Sequence, residues 1–259
     1  VRLFGGTQAT IRVQRGCPYP CSYCLVHTVN GKKARHRSPG SIVAEIQQLQ
    51  TQGISNFYFR ADTFSLDREW ALSLAKLLQQ ECPRINWVTT TRAERVDLEL
   101  LSEFRKSGCY GISFGVDVTS TEIGRRVNKL PQLQAAQEAM ELCHQTGIIA
   151  LAYIMIGFIW DTKETLAEAE QFVKRMYPDL LTVHFAHPYP GTQYYDDYQK
   201  SALSVLSREA QAMPAGNTLT LTRGELQSAA KRLLRTHYLR RRVLASLTRK
   251  ILRHRFLAS

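Results

Sequence analysis

"RGCPYPCSYC", Arg15–Cys24, sets three cysteines at 17, 21 and 24 within ten residues, among prolines and aromatics. Three residues separate the first pair and two the second, a spacing that lets one compact loop aim three sulfurs at one point. A structural zinc site closes its tetrahedron with four ligands, and His27 and His36 follow in the sequence, so a Cys3His zinc site is one reading. The other is a 4Fe-4S cluster whose fourth iron is left open for a small molecule, as catalytic metal sites keep one position open. The remaining cysteines, Cys82, Cys109 and Cys143, stand apart from the triad and from one another. That is a poor disulfide framework for 259 residues; it points to a reducing, cytoplasmic setting in which these three pack as small apolar side chains.

Around the cysteine loop the chain alternates β-rich and amphipathic helical runs, the pattern of parallel strands joined by crossover helices. Strands are expected at 10–14, 55–62, 85–91, 110–116, 149–157 and 180–187, and helices at 39–52, 67–81, 97–107, 131–146 and 163–176. Ser38-Pro39 reads as a cap with proline at the first helical position, and Asp161 with Glu164 has capping-box spacing. Six βα units are fewer than the eight of a closed barrel, so the expected fold is α/β, either a doubly wound sheet or a partial (β/α)6 TIM-like barrel. In both, loops after the strands' C-terminal ends build the site, and the cysteine loop follows the first strand.

Past about residue 190 the pattern changes: "GTQYYDDYQK" is polar and aromatic, 213–222 reads as a loop, and Thr222 with Glu225 opens a last helical region. The formal net charge is +12, and ten Lys or Arg with no acid lie between Lys231 and Arg255. Leu234, Tyr238, Leu244, Leu247, Ile251 and Phe256 recur near helical spacing among them, which describes one or two basic amphipathic helices. Such a helix packs on its domain, lies on an anionic membrane, or meets nucleic acid; the periodic Leu, Ile and Phe favour lipid or protein over RNA. No secretory leader or apolar run of roughly 18 residues is seen. The start at Val1 rather than Met is expected of a piece of a longer protein.

"CPYPCSYC" is a C-x3-C-x-aromatic-C signature and resembles the radical S-adenosylmethionine (SAM) enzymes. Further stretches resemble the branch that contains the anaerobic magnesium-protoporphyrin cyclase and hopanoid-type enzymes: "GISNFYFRADTFSLD", "WVTTTRAERVD", "GCYGISFGVDVTS", "YIMIGFIWDTKET" and "HFAHPYPGTQYY". The resemblance spans about residues 10 to 195 and divides the chain into a core, 1–195, and a mostly helical basic extension, 196–259. Ala61 replaces one of two acids usual in the branch, and Ile159-Trp160 stand where Pro-Gly is common.

The resemblance implies a 4Fe-4S cluster on Cys17, Cys21 and Cys24, whose open iron is chelated by the amino and carboxylate groups of SAM. One electron, from a reductant such as flavodoxin or ferredoxin, splits a sulfonium C–S bond, and the resulting 5′-deoxyadenosyl radical takes hydrogen from an organic substrate, lipophilic or tetrapyrrole-like in this branch. It puts Tyr23 near the adenine, Asp62 on the SAM ammonium, Arg92 on its carboxylate, and Ser113 and Asp117 toward the ribose or methionine. Gly157 and the turn containing His187 let backbone approach the adenine, while His184 points toward the same end. Many members carry an N-terminal cobalamin-binding domain, so cobalamin is expected here only through a domain outside these residues. A methylthiotransferase-like tRNA modifier shares the cysteine spacing, and a non-catalytic metal-stapled module tethered by its basic tail is the alternative from another class.

Overall fold

The computed structural model describes residues 2–3, 6–201 and 218–253. The strands are β1 (Arg2–Leu3), β2 (Gly6–Arg12), β3 (Gln14–Arg15), β4 (Arg35–His36), β5 (Asn56–Arg60), β6 (Asn86–Thr91), β7 (Cys109–Asp117), β8 (Ile149–Ile156) and β9 (Leu180–Phe185). The helices are α1 (Val26–Val29), α2 (Pro39–Thr51), α3 (Arg68–Glu81), α4 (Leu98–Lys106), α5 (Thr121–Arg126), α6 (Leu133–Thr146), α7 (Lys163–Arg175), α8 (Gln193–Lys200), α9 (Arg223–Tyr238) and α10 (Arg241–Arg253). Six strands run parallel in the order β2-β5-β6-β7-β8-β9, with β1 antiparallel on the outer edge of β2. This is the partial (β/α)6 TIM-like barrel expected from the alternation, with every strand in sequence order.

Burial along the strands separates the two faces. Phe57, Phe59, Trp87, Ile112, Phe114, Ala152 and Ile154 are fully buried, and they stack on an aromatic layer in which Phe59 and Trp87 lie 5.0 Å apart and Phe64 meets Phe104 at 5.4 Å. The alternate residues Tyr58, Val88, Thr90, Ser113, Leu151 and Tyr153 keep partial exposure. Helices therefore cover the first set, and the second lines the concave face, as the two-residue period of a strand requires. Cys82, Cys109 and Cys143 are buried in the apolar core as expected, and burial pushes the Cys143 thiol up to about 12.

Several boundaries differ from the sequence reading. The first strand ends at Arg12 rather than 14, because Gln14 and Arg15 leave the sheet to pair with Arg35 and His36. The cap of α7 is Thr162, boxed with Thr165, not Asp161 with Glu164. Asp161 is buried and accepts the Gly157 and Phe158 N–H groups at 2.6 and 2.9 Å. Ser38 and the Thr222–Glu225 box cap α2 and α9 as expected. The stretch "GTQYYDDYQK" contains α8, whose Tyr194 and Tyr198 pack with Tyr23, Phe158, Ile159 and Trp160 over the barrel mouth.

The basic extension folds onto the barrel. Leu226, Ala229 and Leu233 of α9 join the main core beside α7, and the Tyr238 hydroxyl donates to the Leu181 carbonyl at 3.0 Å. On α10 the buried line is Val243 and Lys250, while Leu244 is 50% exposed, so the predicted Leu244–Leu247 stripe is not the inward face. Among the described residues, four of the tail's cations hold protein groups: Lys250 pairs with buried Asp179, Arg232 with Glu170, Arg240 with the Val173 and Met176 carbonyls, and Arg242 lies over Tyr177. The expected loop over 213–217 and the tail residues from His254 on lie outside the described residues, as does the Ile251 side chain.

Candidate active site

The cysteine loop crosses the C-terminal mouth of the barrel and is tied at both ends. At its start, Gln14 is buried; its side-chain oxygen accepts the Asp62 and Thr63 N–H groups at 2.7 and 3.2 Å and its amide donates to the Gly16 carbonyl. Gly16 N–H in turn donates to Asp62 Oδ2 at 2.6 Å, and the Asn30 amide donates to both Asp62 oxygens. At its end, Ser22 N–H donates to the Val127 carbonyl, the Ser22 carbonyl accepts from Tyr194 N–H, and the Tyr23 hydroxyl donates to Asp117 Oδ2 at 2.9 Å. The loop is thus strung between the ends of β2 and β5 on one side and β7 on the other.

Gly16 is required where it stands. Its φ is +88°, and a Cβ there would sit 2.1 Å from the Lys33 carbonyl oxygen. Left-handed backbone and a backbone clash combine, so Gly16→Ala should cost about 2 kcal/mol or more and displace the loop. Urea denaturation and iron content after reconstitution measure both effects; an unchanged midpoint with full loading would show that the loop does not depend on this turn.

All three thiols of the triad are free and partly exposed. Burial pushes the Cys21 and Cys24 thiols up, offset at Cys21 by the Lys129 and Arg92 charges. Cys17 Sγ lies 3.6 Å from Thr63 Oγ1, and Arg92 reaches to 4.0 Å of Cys21 Sγ. Among the described residues no three His, Cys, Asp or Glu side chains gather tightly enough for a single metal ion. Neither histidine available to a zinc site joins such a group: His27 Nε2 bonds the Cys17 carbonyl at 2.8 Å, and His36 stacks on Trp70 at 4.6 Å with its buried Nε2 unpartnered. Three thiols on one loop, without a fourth ligand, fit a multi-iron cluster with an open corner rather than a single tetrahedral ion.

The other expected residues fall into two groups. Asp117 and Ser113 share β7, Tyr153 donates to Ser113 Oγ at 3.5 Å and its ring lies 5.5 Å from His184. These line the concave face with Tyr58 and Thr90, whose hydroxyls are 3.2 Å apart. Gly157 has φ +81°, its N–H held by Asp161, and the His187 ring packs against Tyr189. Asp62 and Arg92 lie against the cysteine loop. Asp62 spends three acceptor positions on Gly16 and Asn30, and Arg92 pairs with Glu94 while lying 3.9 Å over the Tyr19 ring.

Lys129 is the residue the sequence reading missed. It is 8% exposed, and its ammonium donates to Asp117 Oδ2 and, at 2.7 Å, to the Gly115 carbonyl. Asp117 itself sits at φ +57°, beyond a register shift in β7, a conformation that costs a non-glycine residue and persists only when its surroundings hold it. The Tyr23 hydroxyl and Lys129 are those surroundings. The three join the cysteine loop to the fourth parallel strand through one carboxylate oxygen.

The radical SAM superfamily signature matches residues 11–173, which takes in the end of β2, the cysteine loop and the next four parallel strands. The chain belongs to the radical SAM superfamily. It is 27% identical to an uncharacterized methyltransferase of Pyrococcus horikoshii over 72% of this chain and 41% of that protein. It is likewise 27% identical to the anaerobic magnesium-protoporphyrin IX monomethyl ester cyclase of Cereibacter sphaeroides over 88% of this chain and 38% of that one; hopanoid methylases are further relatives. Among solved structures, the radical SAM methyltransferase TsrM from Kitasatospora setae, with cobalamin and a 4Fe-4S cluster bound, matches 74% of this chain and 39% of its own at a TM-score of 0.66 and 20% identity, a likeness of fold. This radical SAM chain spans about two fifths of the length of these curated relatives.

Proposed function

We propose that residues 1–195 form the core of a radical SAM enzyme that holds a 4Fe-4S cluster on Cys17, Cys21 and Cys24 and uses it to cleave SAM reductively. When bound, the cluster and SAM supply a carbon radical able to abstract hydrogen from an organic substrate. The observation that carries this reading is the three-thiol loop, with no fourth ligand gathered to it among the described residues, fastened across the mouth of a six-stranded parallel barrel.

The chain's own residues have distinct tasks in this reading. Gln14, Gly16, Asp62 and Asn30 fix the loop so that the thiols are set before the cluster arrives, and Lys129 and Arg92 offset part of the burial that pushes the Cys21 thiol up. Lys129 and Tyr23 hold the Asp117 carboxylate at the mouth, where its remaining acceptor positions, with Ser113, are offered to SAM. The close backbone at Gly157 and the turn bearing His187 border the same opening. The concave face, with Tyr58, Tyr153, Leu151 and His184, offers aromatic and apolar surface to the substrate, in keeping with the tetrapyrrole named for the cyclase relative.

The same proposal places the enzyme in the cytoplasm, where its six free cysteines stay reduced. No helix among the described residues is long and apolar enough to cross a membrane. The outer side of α10, with exposed Arg241, Leu244 and Arg249, supports a peripheral contact with anionic lipid. Cobalamin-dependent methyl transfer would draw on a domain outside this chain. Metal analysis after anaerobic reconstitution tests the ligand set: about four irons and four sulfides per chain are expected, falling to background when all three cysteines are alanine, whereas one tightly bound zinc and no iron would overturn it.

A further inference from the structure

Residues 1–44 contain no Asp or Glu, yet Arg12, Arg15, Lys32, Lys33, Arg35 and Arg37 crowd between positions 12 and 37. Among the described residues only Arg37 of these six has a carboxylate partner, Glu45 at 2.5 Å; Arg35 spends its guanidinium on the Lys33 and Asn30 carbonyls. Arg15, Lys32, Lys33 and Arg35 are exposed. Arg12, Arg15, Arg35 and Arg37 border one cleft of about 380 Å³, and Arg12 Nη1 is buried there without an acceptor. The face therefore presents positive charge that the protein leaves uncompensated.

This face is continuous with the cysteine loop. Arg15 precedes Cys17 by two residues, Cys17 N–H donates to the Gly31 carbonyl at 3.2 Å, and the Lys33 carbonyl occupies the space beside Gly16. The opposite end of the loop, at Ser22 and Tyr23, faces Val127, Tyr194 and Asp117. One end thus borders the SAM and substrate side, and the other carries cations outward within one hydrogen bond of an iron ligand.

We propose that this cationic face docks the acidic electron-transfer protein, of flavodoxin or ferredoxin type, that reduces the enzyme; the proposal rests on the radical SAM reading above. In the step one electron leaves the donor's reduced centre, which is oxidised by one electron, and enters the iron-sulfur group held by Cys17, Cys21 and Cys24. No bond forms or breaks and no proton moves. Charge complementarity steers such encounters, and electron transfer falls steeply with distance, so a donor seated on the residues that bond Cys17 is placed where transfer is fast. A nucleic acid is disfavoured because the local aromatics are taken: Tyr19 lies under Arg92 and Tyr23 bonds Asp117.

The test uses the reconstituted chain, wild type and a triple variant, Arg15→Glu with Lys32→Glu and Lys33→Glu, and a milder triple glutamine variant in case charge reversal disturbs folding. Binding of a bacterial flavodoxin is measured by fluorescence quenching at low and high salt. SAM cleavage is driven either by dithionite or by that flavodoxin with its reductase and NADPH. The expected result is a Kd raised roughly 10- to 100-fold in the glutamate variant and less in the glutamine one. The wild-type salt dependence should be largely lost, flavodoxin-driven cleavage should fall in parallel, and dithionite-driven cleavage should stay unchanged. Unaltered flavodoxin binding and flavodoxin-driven cleavage would overturn the docking face, as would loss confined to binding of a tRNA probe. Failure of dithionite-driven cleavage in the wild type would instead contradict the radical SAM reading itself.

Discussion

Replacing Lys129 with methionine is expected to lower SAM-dependent turnover by about 100-fold and to weaken SAM binding, while the chain remains folded. The reason is the position of Asp117. Its backbone is held in the left-handed region, and the carboxylate that results is shared by the Tyr23 hydroxyl and the Lys129 ammonium, whose side chain is 7% exposed. Without the ammonium a largely buried carboxylate is left with one neutral donor and turns toward solvent. The end of β7 then relaxes by something like 1 Å, a displacement that costs about 100-fold where a reacting pair must be aligned. Lys129→Arg keeps the charge and should recover part of the loss. Equilibrium binding of SAM to the reconstituted protein, beside circular dichroism, separates a positioning role from simple instability. Unchanged SAM affinity and turnover in Lys129→Met would show that Asp117 does not serve this site.

Asp179→Ala should destabilise the fold by about 3–5 kcal/mol, the usual consequence of stranding one member of a buried pair. Asp179 is fully buried at the N-terminal end of the barrel, where Oδ2 accepts from Lys250 at 2.6 Å and from Ala150 N–H at 2.8 Å, and Oδ1 accepts from Ser246 at 2.7 Å. Lys250 also donates to the Ile148 carbonyl at 2.7 Å. One carboxylate thus joins α10 to the starts of β8 and β9, and its loss strips the Ala150 amide of its side-chain acceptor and the Lys250 ammonium of its counter-charge. The double variant Asp179→Leu with Lys250→Met removes both charges and should regain most of the stability. Urea unfolding monitored by circular dichroism reads these differences. A midpoint unchanged in Asp179→Ala would mean that α10 is held by other contacts.

Comparison of sequence and structure turns on which residues obey hydropathy. Strand and helix positions in the barrel were readable because Phe57, Phe59, Trp87, Ile112 and Phe114 alternate with polar neighbours, and α2, α3, α4, α6 and α7 bury regular stripes. The cysteine spacing was equally direct. Lys129 and Lys250 were not legible, because hydropathy treats lysine as a surface residue and neither its buried partner nor the turn that brings it there leaves a local pattern. Asp161 was misread for a related reason: it stands one residue before the true cap Thr162 and serves the Gly157 turn instead. The helix α8 escaped because Tyr194 and Tyr198 are its whole buried stripe, four residues apart within a polar run. The hydrogen bonds that Asp62 and Arg92 make to Gly16, Asn30 and Glu94 were not foreseeable, since those partners come from separate segments or from a turn.

The most direct measurement is anaerobic. The chain is reconstituted with iron and sulfide, supplied with SAM and a strong chemical reductant, and 5′-deoxyadenosine is quantified for the wild type beside Cys17→Ala, Cys21→Ala and Cys24→Ala. Production by the wild type, reduced to background in each of the three variants, is the predicted result. A fully loaded wild-type protein that binds SAM yet yields no more 5′-deoxyadenosine than the cysteine variants, or variants that match the wild type, would contradict it.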